Sequence, residues 1–362
     1  MDLVAEMLLA EWQTTLASDV DAAKLDVIIP RFARRLPGLP KGIAFNADRV
    51  AARFLSYPRK ALAERRRHEF FHVVDHSYGQ LVHALPAART GVFCHDLDAF
   101  RSLINPATEP RPAWFRAMAR VTLNGLRAAA LVFHSTLPVR DEIERNGIVS
   151  RERLVHAPYG VSPEFVLNAP ANDEAESIFE RLEGQPFLLH VGSAIPRKRI
   201  DVLFEIFARL RAKHPQLRLV QQGGTLSAPQ RAHAARLGIE PFLLQPAKLS
   251  RLALACLYRK AEVVLLPSDA EGFGFPIIEA LACGALVIAS DLPVLREVGG
   301  DAIMYCRRGD VDDWHARVSA VLSGSVATPS LEVRVARASE FTWSRHARTV
   351  LDAYKGLRER LR

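Results

Sequence analysis

The sequence predicts an α/β protein built from two doubly wound domains. Short apolar runs alternate with amphipathic stretches along nearly all of the 362 residues, which is typical of strands and helices in parallel sheets. This length corresponds to roughly two domains of ordinary size. Hydrophobic residues make up 49% of the chain, enough to form substantial cores, so a disordered chain is excluded.

Charge and cysteine content narrow the class of partner. The chain has 48 basic and 40 acidic residues, a net charge of +8, which suits an anionic small-molecule donor or an anionic membrane surface. Nucleic acid is disfavoured, because no zinc-finger spacing or RNA-binding aromatic signature is present. We expect a cytoplasmic protein, since no apolar run approaches ~18 residues and no signal peptide is visible. The scattered cysteines predict buried thiols in a reducing compartment: Cys94, Cys256, Cys283 and Cys306.

Residues 1–168 are expected to form the first domain. A doubly wound domain normally opens with a strand and a glycine loop, whereas this one opens on a helix. We therefore expect its first strand to be missing, and favour a start assigned too late over a domain cut back. Apolar periodicity predicts strands at Leu25–Pro30, Phe71–Asp75, Gly91–Cys94, Ala130–Phe133 and Arg153–Ala157, and helices at Asp2–Leu16, Ala47–Leu55, Pro58–Phe71, Pro112–Ala129 and Val139–Glu144.

Residues 169–342 are expected to form the second domain, after an acidic interdomain segment at Pro170–Gln185. Its pattern predicts strands at Phe187–Val191, Leu217–Gln221, Phe242–Leu244, Val263–Pro267 and Ala285–Ser290. The helices predicted between and after these strands are Ile200–Lys213, Pro229–Leu237, Ser250–Lys260, Phe275–Cys283 and Asp312–Leu322, with a last basic helix at Trp343–Arg362.

One strand–loop–helix–strand stretch, Leu266–Gly300, carries the first set of candidate residues. Gly272 and Gly274 let the backbone of the loop approach a ligand closely, and a helix that opens on glycines is a ready site for phosphate. Glu271 and Glu279 flank that position. Because carboxylates repel phosphate, we expect them to accept hydrogen bonds from sugar hydroxyls. The alternative is an ordinary turn with a capping glutamate.

A second loop, Gly192–Asp201, follows a strand and precedes a helix. Gly192 permits a tight turn, and Arg197 and Lys198 lie just before the helix. Two adjacent cations with helix N–H groups can hold a diphosphate, although a solvated basic loop has the same composition. Ligands of doubly wound sheets bind at the carboxyl ends of strands, where His95, Gly192 and Glu271 are all expected.

In these residues the chain resembles the retaining nucleotide-sugar glycosyltransferases of family 4, strongly over Val155–Tyr354. The resemblance implies the GT-B fold, in which two Rossmann-like domains face each other across a cleft. It also implies that helix 343–362 completes the first domain. The matching residues are Gly192, Arg197-Lys198, Leu257-Tyr258, Ala261, Pro267-Ser268, Glu271–Gly274, Glu279–Gly284, Glu297, Gly300–Ala302, Phe341–Trp343 and Tyr354.

The resemblance also implies roles for individual residues. Arg197 and Lys198 would bind the donor diphosphate, Glu271 would contact the donor sugar, and Glu279 would accept hydrogen bonds from the ribose. His95 would lie near the anomeric carbon. Gly192, Ser193, Gly272, Phe273 and Gly274 would complete the donor site, and no metal or further cofactor is implied beyond the GDP- or UDP-sugar substrate. Two positions depart from the family: Ser193 stands where some members carry arginine, and Arg199 where asparagine is common.

The function implied is transfer of a sugar, with mannose as one candidate, to a glycan or lipid-linked acceptor in cell-surface polysaccharide synthesis. A front-face displacement assisted by the donor phosphate, without a metal ion, is the implied mechanism. The alternatives are a nucleotide-sugar epimerase of the same fold, which the glutamates and the basic pair disfavour, and a catalytically silent sugar-nucleotide-binding scaffold.

Three weaker signals remain. Asp96-Leu97-Asp98 mimics a metal-binding motif, and Asp75 with His76 is a candidate acceptor contact at a strand end. The helices predicted at 58–71 and 112–129 mix arginine with aromatic residues, as helices at membrane surfaces do. The last signal leaves two expectations open: a solvated basic face, or peripheral association with the inner membrane face.

Overall fold

The computed structural model describes residues 2–26, 29–30, 32–36, 38, 40–168 and 170–362. The chain divides into two compact units, one formed by Met1–Tyr159 with Trp343–Arg362 and the other by Gly160–Thr342. The sequence interpretation placed the boundary between them after residue 168. The second unit is therefore continuous in sequence, whereas the first is assembled from the two ends of the chain.

The described secondary structure alternates as the sequence predicted. The strands are β1 Phe71–Val73, β2 Thr90–Cys94, β3 Leu131–His134, β4 Leu154–His156, β5 Phe187–Val191, β6 Arg218–Gln222, β7 Leu243–Leu244, β8 Val263–Leu266, β9 Val287–Ser290 and β10 Met304–Cys306. The α-helices are α1 Asp2–Gln13, α2 Lys41–Ala51, α3 Tyr57–Glu64, α4 Arg101–Ile104, α5 Ala113–Ala128, α6 Leu137–Arg145, α7 Asp173–Leu182, α8 Ile200–Arg211, α9 Ala228–Arg236, α10 Arg251–Lys260, α11 Phe275–Ala282, α12 Pro293–Gly299, α13 Val311–Leu322, α14 Leu331–Ser339 and α15 Trp343–Leu361. A π-helical turn, Ala52–Ser56, joins α2 to α3, and short 3-10 helices lie at Ala33–Arg35, His76–His83, Ala87–Arg89, Asp98–Phe100, Arg151–Arg153, Pro196–Lys198, Glu240–Phe242 and Gly300–Ala302.

The first unit contains a parallel sheet with strand order β1-β2-β3-β4. Helix α15 packs within this unit. The Tyr354 hydroxyl donates to the Phe71 carbonyl over 2.9 Å and lies 3.0 Å from His72 Nδ1. Gly91 makes room for the tyrosine, because a Cβ at that position would overlap its hydroxyl. Two turns earlier in α15, the Ala347 carbonyl accepts from Trp12 Nε1 over 3.1 Å.

The second unit contains a parallel sheet with strand order β10-β9-β8-β5-β6-β7. Strands β5 and β8 are nearly continuous apolar runs, which suits strands covered by helices on both faces. From β5 the chain proceeds outward to β6 and β7, and then returns to β8 on the other side of β5. The loops after β5 and β8 therefore leave the sheet in opposite directions and open a crevice at the carboxyl ends of the strands, where ligands of such sheets bind.

Several elements differ from the sequence predictions. Helices α4, α7, α12 and α14 and strand β10 were not predicted. Helix α7 lies in a stretch that was interpreted as an acidic interdomain segment. The helix predicted at Pro58–Phe71 ends at Glu64 and is followed by a turn. The strand predicted at Leu25–Pro30 is not observed in its described residues, and residues 27 and 28 lie outside them.

Candidate functional site

The loop after β5 is fixed by the neighbouring strand β6. The Gly192 amide donates to the Gln222 carbonyl over 2.8 Å, and Gln221 Nε2 donates to the Gly192 carbonyl over 3.0 Å. Gly223, which follows β6, has φ +114°, and a Cβ there would lie 2.9 Å from the Gly192 carbonyl oxygen. Only glycine fits both this backbone conformation and this spacing. The turn that begins the basic loop is therefore rigidly placed.

The ring of His190 packs next to Gly192 in the same turn. This side chain is buried, and its Nδ1 has no hydrogen-bond partner. A Cβ at position 192 would lie 3.1 Å from His190 Cε1, so a side chain there would be in tight contact with the ring. Burial first, and then the charge of Lys198, lower the pKa of His190 to about 3. The ring is therefore neutral at physiological pH.

Arg199 directs the chain from the basic loop into α8. It adopts the left-handed conformation with φ 49°, which costs a residue other than glycine about 1 kcal/mol. Its guanidinium donates to Asp201 over 2.8 Å and to Asp269 over 3.2 Å. These ion pairs stabilise the strained residue and also connect it to the loop after β8. Asparagine tolerates the left-handed conformation by itself. At this position arginine is held in the same conformation by its ion pairs.

The loop after β8 is anchored by an aromatic side chain. Phe273 is 4% exposed, and its ring lies edge-on to Phe275 and Phe341, with centroid distances of 5.3 and 5.8 Å. Gly274 follows with φ +100°, a conformation that glycine favours. Pro276 then occupies the first turn of α11, where its missing N–H is no loss. Phe273 therefore fixes the loop through its side chain, a contact that the sequence did not indicate.

The two loops meet at the carboxylate of Glu271. Lys198 Nζ lies 2.5 Å from Oε1, Arg197 Nη1 lies 3.4 Å from Oε2, and Ser268 Oγ donates to Oε1 over 2.7 Å. The Asp269 amide also donates to the Arg197 carbonyl over 2.7 Å. The side chains of Glu271 and Lys198 are 6% and 11% exposed. Two cations and one carboxylate are thereby held together, with one positive charge in excess.

Glu279 has a different environment, although it lies only eight residues later. Tyr258 donates a hydrogen bond to Glu279 Oε2 over 3.0 Å. Burial raises the pKa of Glu279 to about 7, opposed by the Tyr258 hydrogen bond and then by the charge of Arg251. Arg251 is itself paired with Glu164 at 3.4 Å. This carboxyl therefore titrates near neutral pH.

His95 follows β2 and belongs to the first unit. Its Nε2 lies 2.8 Å from the Val74 carbonyl, its Nδ1 bonds the hydroxyl of Tyr159, and its ring stacks on Phe93 with centroids 5.0 Å apart. Burial, and next the charge of His76, lower the pKa of His95 to about 3. The ring is neutral, and the Val74 carbonyl fixes Nε2 as its protonated nitrogen.

Asp75, His76 and His95 form the group of described residues whose geometry comes nearest to a metal site, since their ligand atoms lie within 4.8 Å of one another. Each is already engaged with protein. Asp75 accepts from the Ser77 amide over 2.8 Å, and His76 Nδ1 accepts from the His95 amide over 3.2 Å. In the motif that mimics a metal site, Asp96 Oδ1 accepts from the Asp98 amide over 3.0 Å, which makes it a local turn.

The structure therefore brings together part of the predicted set. Arg197, Lys198 and Glu271 are in contact, with Gly192, Ser193, Gly272, Phe273 and Gly274 in the two loops that carry them, and Glu279 in the helix that follows. His95 lies in the other unit. Sequence reasoning did not assign roles to Ser268 and Tyr258, whose hydroxyls bond the two glutamates. Their presence among the residues that resemble the family was the signal that could have found them.

Comparison with protein families and curated proteins agrees with this arrangement. Residues 172–339 match the family described as Glycosyl transferases group 1. The O-antigen chain mannosyltransferase B of Escherichia coli is 27% identical over 312 residues, covering 84% of this chain and 79% of that protein. A D-inositol 3-phosphate glycosyltransferase of Mycolicibacterium smegmatis is 30% identical over 232 residues, covering 60% of this chain and 52% of that protein. The chain thus spans about half the length of this second relative.

Solved structures show the fold. Sucrose-phosphate synthase from Thermosynechococcus elongatus matches with a TM-score of 0.70 and 20% identity, covering 93% of this chain and 86% of that one. Anabaena Alr3699/HepE, solved in complex with UDP and glucose, matches with a TM-score of 0.68 and 16% identity, covering 82% and 80%. The predicted class, α/β with GT-B units built on parallel sheets, is confirmed.

Proposed function

We propose, from the premise that this chain belongs to the glycosyl transferases group 1 family, that it transfers a sugar from a nucleotide-sugar donor to an acceptor hydroxyl with retention of configuration. The observation that carries the proposal is the contact of Arg197 and Lys198 with Glu271 at the point where the strand order of the second sheet reverses. Doubly wound sheets bind nucleotides at this position.

The parts of the donor are assigned to different residues. Arg197 and Lys198 bind the diphosphate, because their charges exceed that of Glu271 by one and both lie at the end of the loop that precedes α8. Glu271 accepts hydrogen bonds from the donor sugar, since the cations hold its carboxylate in place. Glu279 accepts from the ribose hydroxyls. Gly192, Ser193, Gly272, Phe273 and Gly274 shape the surrounding loops.

The reaction forms one bond and breaks one at the anomeric carbon. The acceptor oxygen bonds to that carbon while the bond from the carbon to the phosphate oxygen breaks, and the acceptor proton passes to the departing phosphate on the same face. The negative charge that develops on the diphosphate is opposed by Arg197 and Lys198, which are already positioned. These cations supply the positive charge at the leaving group, so we assign no metal ion to the step. His95 is proposed to contact the donor sugar through its neutral ring.

The acceptor is proposed to be a glycan or a lipid-linked acceptor of cell-surface polysaccharide synthesis. Mannose is the first transferred sugar to test. Support comes from the E. coli relative, which is named as an O-antigen chain mannosyltransferase and aligns with 84% of this chain. HepE was solved with UDP and glucose, so UDP-glucose is the second donor to test. Anionic membrane is a further proposed partner, as the sequence indicated.

The experiment measures donor cleavage and nucleotide binding with the full chain. GDP-mannose and UDP-glucose are each incubated with the protein, and release of the diphosphate is followed with and without added acceptor sugars. We expect Lys198→Ala to lower release by about 100-fold or more, because a preorganised group opposite the developing charge is removed. The matched control is Arg307→Ala, since Arg307 is also paired with an acidic neighbour, Asp310 at 3.1 Å, on the surface of the same unit.

Equal turnover by Lys198→Ala and the parent protein would contradict the proposed role of the basic pair. The two alternative functions give different products. An epimerase would convert the donor into an isomeric nucleotide-sugar without releasing the diphosphate. A silent scaffold would bind the nucleotide, shown by a raised melting temperature, and release nothing with any acceptor.

A further inference from the structure

Arg199 combines a backbone conformation that favours glycine with a long charged side chain. Among the described residues other than glycine, only Glu183 and Arg199 have a positive φ. Glu183 ends α7 next to Gly184, which is a usual place for this conformation. Arg199 instead lies between the 3-10 helix Pro196–Lys198 and α8. Glycine or asparagine would adopt this conformation at lower cost, so the arginine is explained by the contacts of its side chain.

The guanidinium of Arg199 bridges its own helix and the loop after β8. Nε and Nη2 donate to the Asp201 carboxylate over 3.0 and 2.8 Å, and Nη1 donates to both oxygens of Asp269 over 3.2 Å. All three nitrogens therefore have a carboxylate partner. The contact with Asp201 is local to the start of α8, whereas the contact with Asp269 spans 70 positions of sequence. The arginine thus ties the loop after β5 to the loop after β8.

The loop after β10 packs against the same ion pair. Gly309 has φ +72°, and a Cβ there would lie 3.3 Å from Arg199 Nη1. Arg308 Nε lies 3.9 Å from Asp269 Oδ1. The side chains of Arg199 and Asp269 are 29% and 35% exposed. Three loops that follow strands of the second sheet therefore meet at this partly buried pair.

Backbone hydrogen bonds join the two loops next to this pair. The Asp269 amide donates to the Arg197 carbonyl over 2.7 Å, and Arg197 Nη1 donates to the Ala270 carbonyl over 2.8 Å. Asp269 therefore holds the residue before Lys198 through its amide and the residue after Lys198 through its carboxylate. Since Lys198 is the residue that contacts Glu271, one aspartate fixes the position of this cation from both sides.

We infer that Arg199 and Asp269 are positioning residues that keep the phosphate-binding cations and the sugar-binding carboxylate at a fixed separation when the donor is bound. This inference rests on the proposed function, in which Arg197 and Lys198 bind the diphosphate and Glu271 binds the sugar. Phosphate oxygens would compete with Glu271 for the two cations, so the ion pairs that join the loops in the free protein would weaken. Arg199 and Asp269 have no part in that donor site. Their ion pair therefore persists and holds the loops together during the reaction.

Loss of this pair should affect catalysis more than folding. Ion pairs that are partly exposed contribute little to stability, so the melting temperature should change by about 3 °C or less. A small displacement of groups that hold the reacting atoms has a large effect on rate, and we expect kcat to fall by about tenfold. Affinity for the free nucleoside diphosphate should change by less than about twofold, because Arg197 and Lys198 keep their charges.

The variants remove the tie and keep the backbone. Arg199→Asn and Arg199→Gly tolerate the left-handed conformation, so strain does not explain a loss of kcat in them. Asp269→Asn removes the carboxylate and keeps the amide that bonds Arg197. Because the two residues act through one pair, Arg199→Asn with Asp269→Asn should lose about tenfold, as each does alone, whereas an additive loss of about 100-fold would overturn the assignment to one pair. The measurements are turnover of GDP-mannose and UDP-glucose, calorimetric titration with the nucleoside diphosphate, and melting curves.

The matched control is Arg296→Asn. The Arg296 guanidinium also forms a two-pronged pair with an aspartate that follows a strand, since Nε and Nη2 donate to Asp291 over 2.5 and 2.7 Å. This pair joins α12 to the loop after β9. The control should keep the kcat and the nucleotide affinity of the parent protein. A tenfold loss of kcat in the control would mean that removing any ion pair from this edge slows the reaction, which would overturn the specific role of Arg199.

Hydrogen exchange tests the tie without any donor. Residues 266–274 have the same sequence in the parent, Arg199→Asn and Arg199→Gly, so exchange of the Asp269 amide can be compared directly. We expect it to be about tenfold faster in both variants, because the loop is released from one of its contacts. Unchanged exchange would overturn the tie, and faster exchange with the kcat of the parent would overturn its role in the reaction. A parent protein that cleaves neither donor would contradict the proposed function, and the exchange result would then decide the tie by itself.

Discussion

Glu271 and Glu279 lie eight residues apart in one loop and the helix that follows it, yet their carboxylates have different environments. Glu271 has Lys198 at 2.5 Å and Arg197 at 3.4 Å. Glu279 accepts a hydrogen bond from the Tyr258 hydroxyl, and its pKa is raised to about 7. The first carboxylate is therefore held by opposite charge, whereas the second is close to the point at which it gains a proton. The same residue type can thus serve as a fixed acceptor at one position and as a pH-dependent acceptor at another.

The difference teaches where each part of a donor would be recognised. A carboxylate held by two cations would lie beside the phosphates of the proposed donor, which suits it to the sugar attached to them. A group bonded only by a tyrosine lies apart from those charges and is suited to the ribose. The following experiments compare nucleoside diphosphates with the corresponding nucleotide-sugars to test this separation.

The largest expected effect is that of Glu271→Gln. Turnover of the nucleotide-sugar should fall by about 100-fold or more, because the fixed acceptor for the sugar is weakened and the cations lose their partner. The free energy of unfolding should fall by about 3 kcal/mol, since Lys198 is left buried without its counter-charge. Both are measured directly, by product release and by denaturant unfolding.

Affinity for the free nucleoside diphosphate provides the internal control for this variant. It should be at least as tight as in the parent protein, because Arg197 and Lys198 no longer compete for an internal carboxylate. Calorimetric titration measures it. A variant that loses nucleoside diphosphate binding together with turnover would show that Glu271 acts on the phosphate site and not on the sugar.

An intermediate effect is expected for Glu279→Gln. Affinity for the nucleoside diphosphate and for the nucleotide-sugar should weaken equally, by about tenfold, since a charged acceptor for the ribose is replaced by a neutral one. In the parent, affinity should rise with pH through about 7, because the folded carboxyl has a raised pKa and accepts best when ionised. The variant should lack this rise. The affinity of both proteins for the nucleotide is measured by titration between pH 6 and pH 8.5. If the variant keeps the pH dependence of the parent, the titrating group is not Glu279.

The smallest effect should follow Tyr258→Phe. Its hydroxyl favours the ionised form of Glu279, so removing it should raise the pKa of that carboxyl further and move the midpoint of donor affinity to higher pH. At pH 7 we expect a loss of about three- to fivefold that disappears in alkaline buffer. A loss that is the same at every pH would mean that the tyrosine only supports packing.

The loops of the site could be predicted from sequence because their signals are local. Gly192, the basic pair and Gly274 each lie between an apolar strand and a helix, and the strand pattern alone places them at one edge of a sheet. The contacts between the loops are not local. Lys198 meets Glu271 across 73 positions, and Tyr258 reaches Glu279 from another helix, so no spacing in the sequence encodes these pairs.

The missed elements are short, at ten residues or fewer. Helix α7 fully buries only Ala175, Ile178 and Leu182, α14 fully buries only Ala338, and β10 is three residues long. Helices of this length are marginal in isolation, so packing against the rest of the protein decides their structure. Asn172 and Ser330 accept hydrogen bonds at the starts of the two helices, and these caps were the local signals available.

The placement of α15 has a consequence for how the protein is made. Tyr354, His346 and Ala347 contribute to the packing of the first unit, yet they are synthesised only after the whole of the second unit. The first unit can complete its core only after all of Gly160–Thr342 has been synthesised, whereas that continuous unit needs no later segment to fold. Until α15 has been synthesised, the apolar surface that it covers in the first unit is exposed. A chaperone that binds exposed apolar surface could bind there.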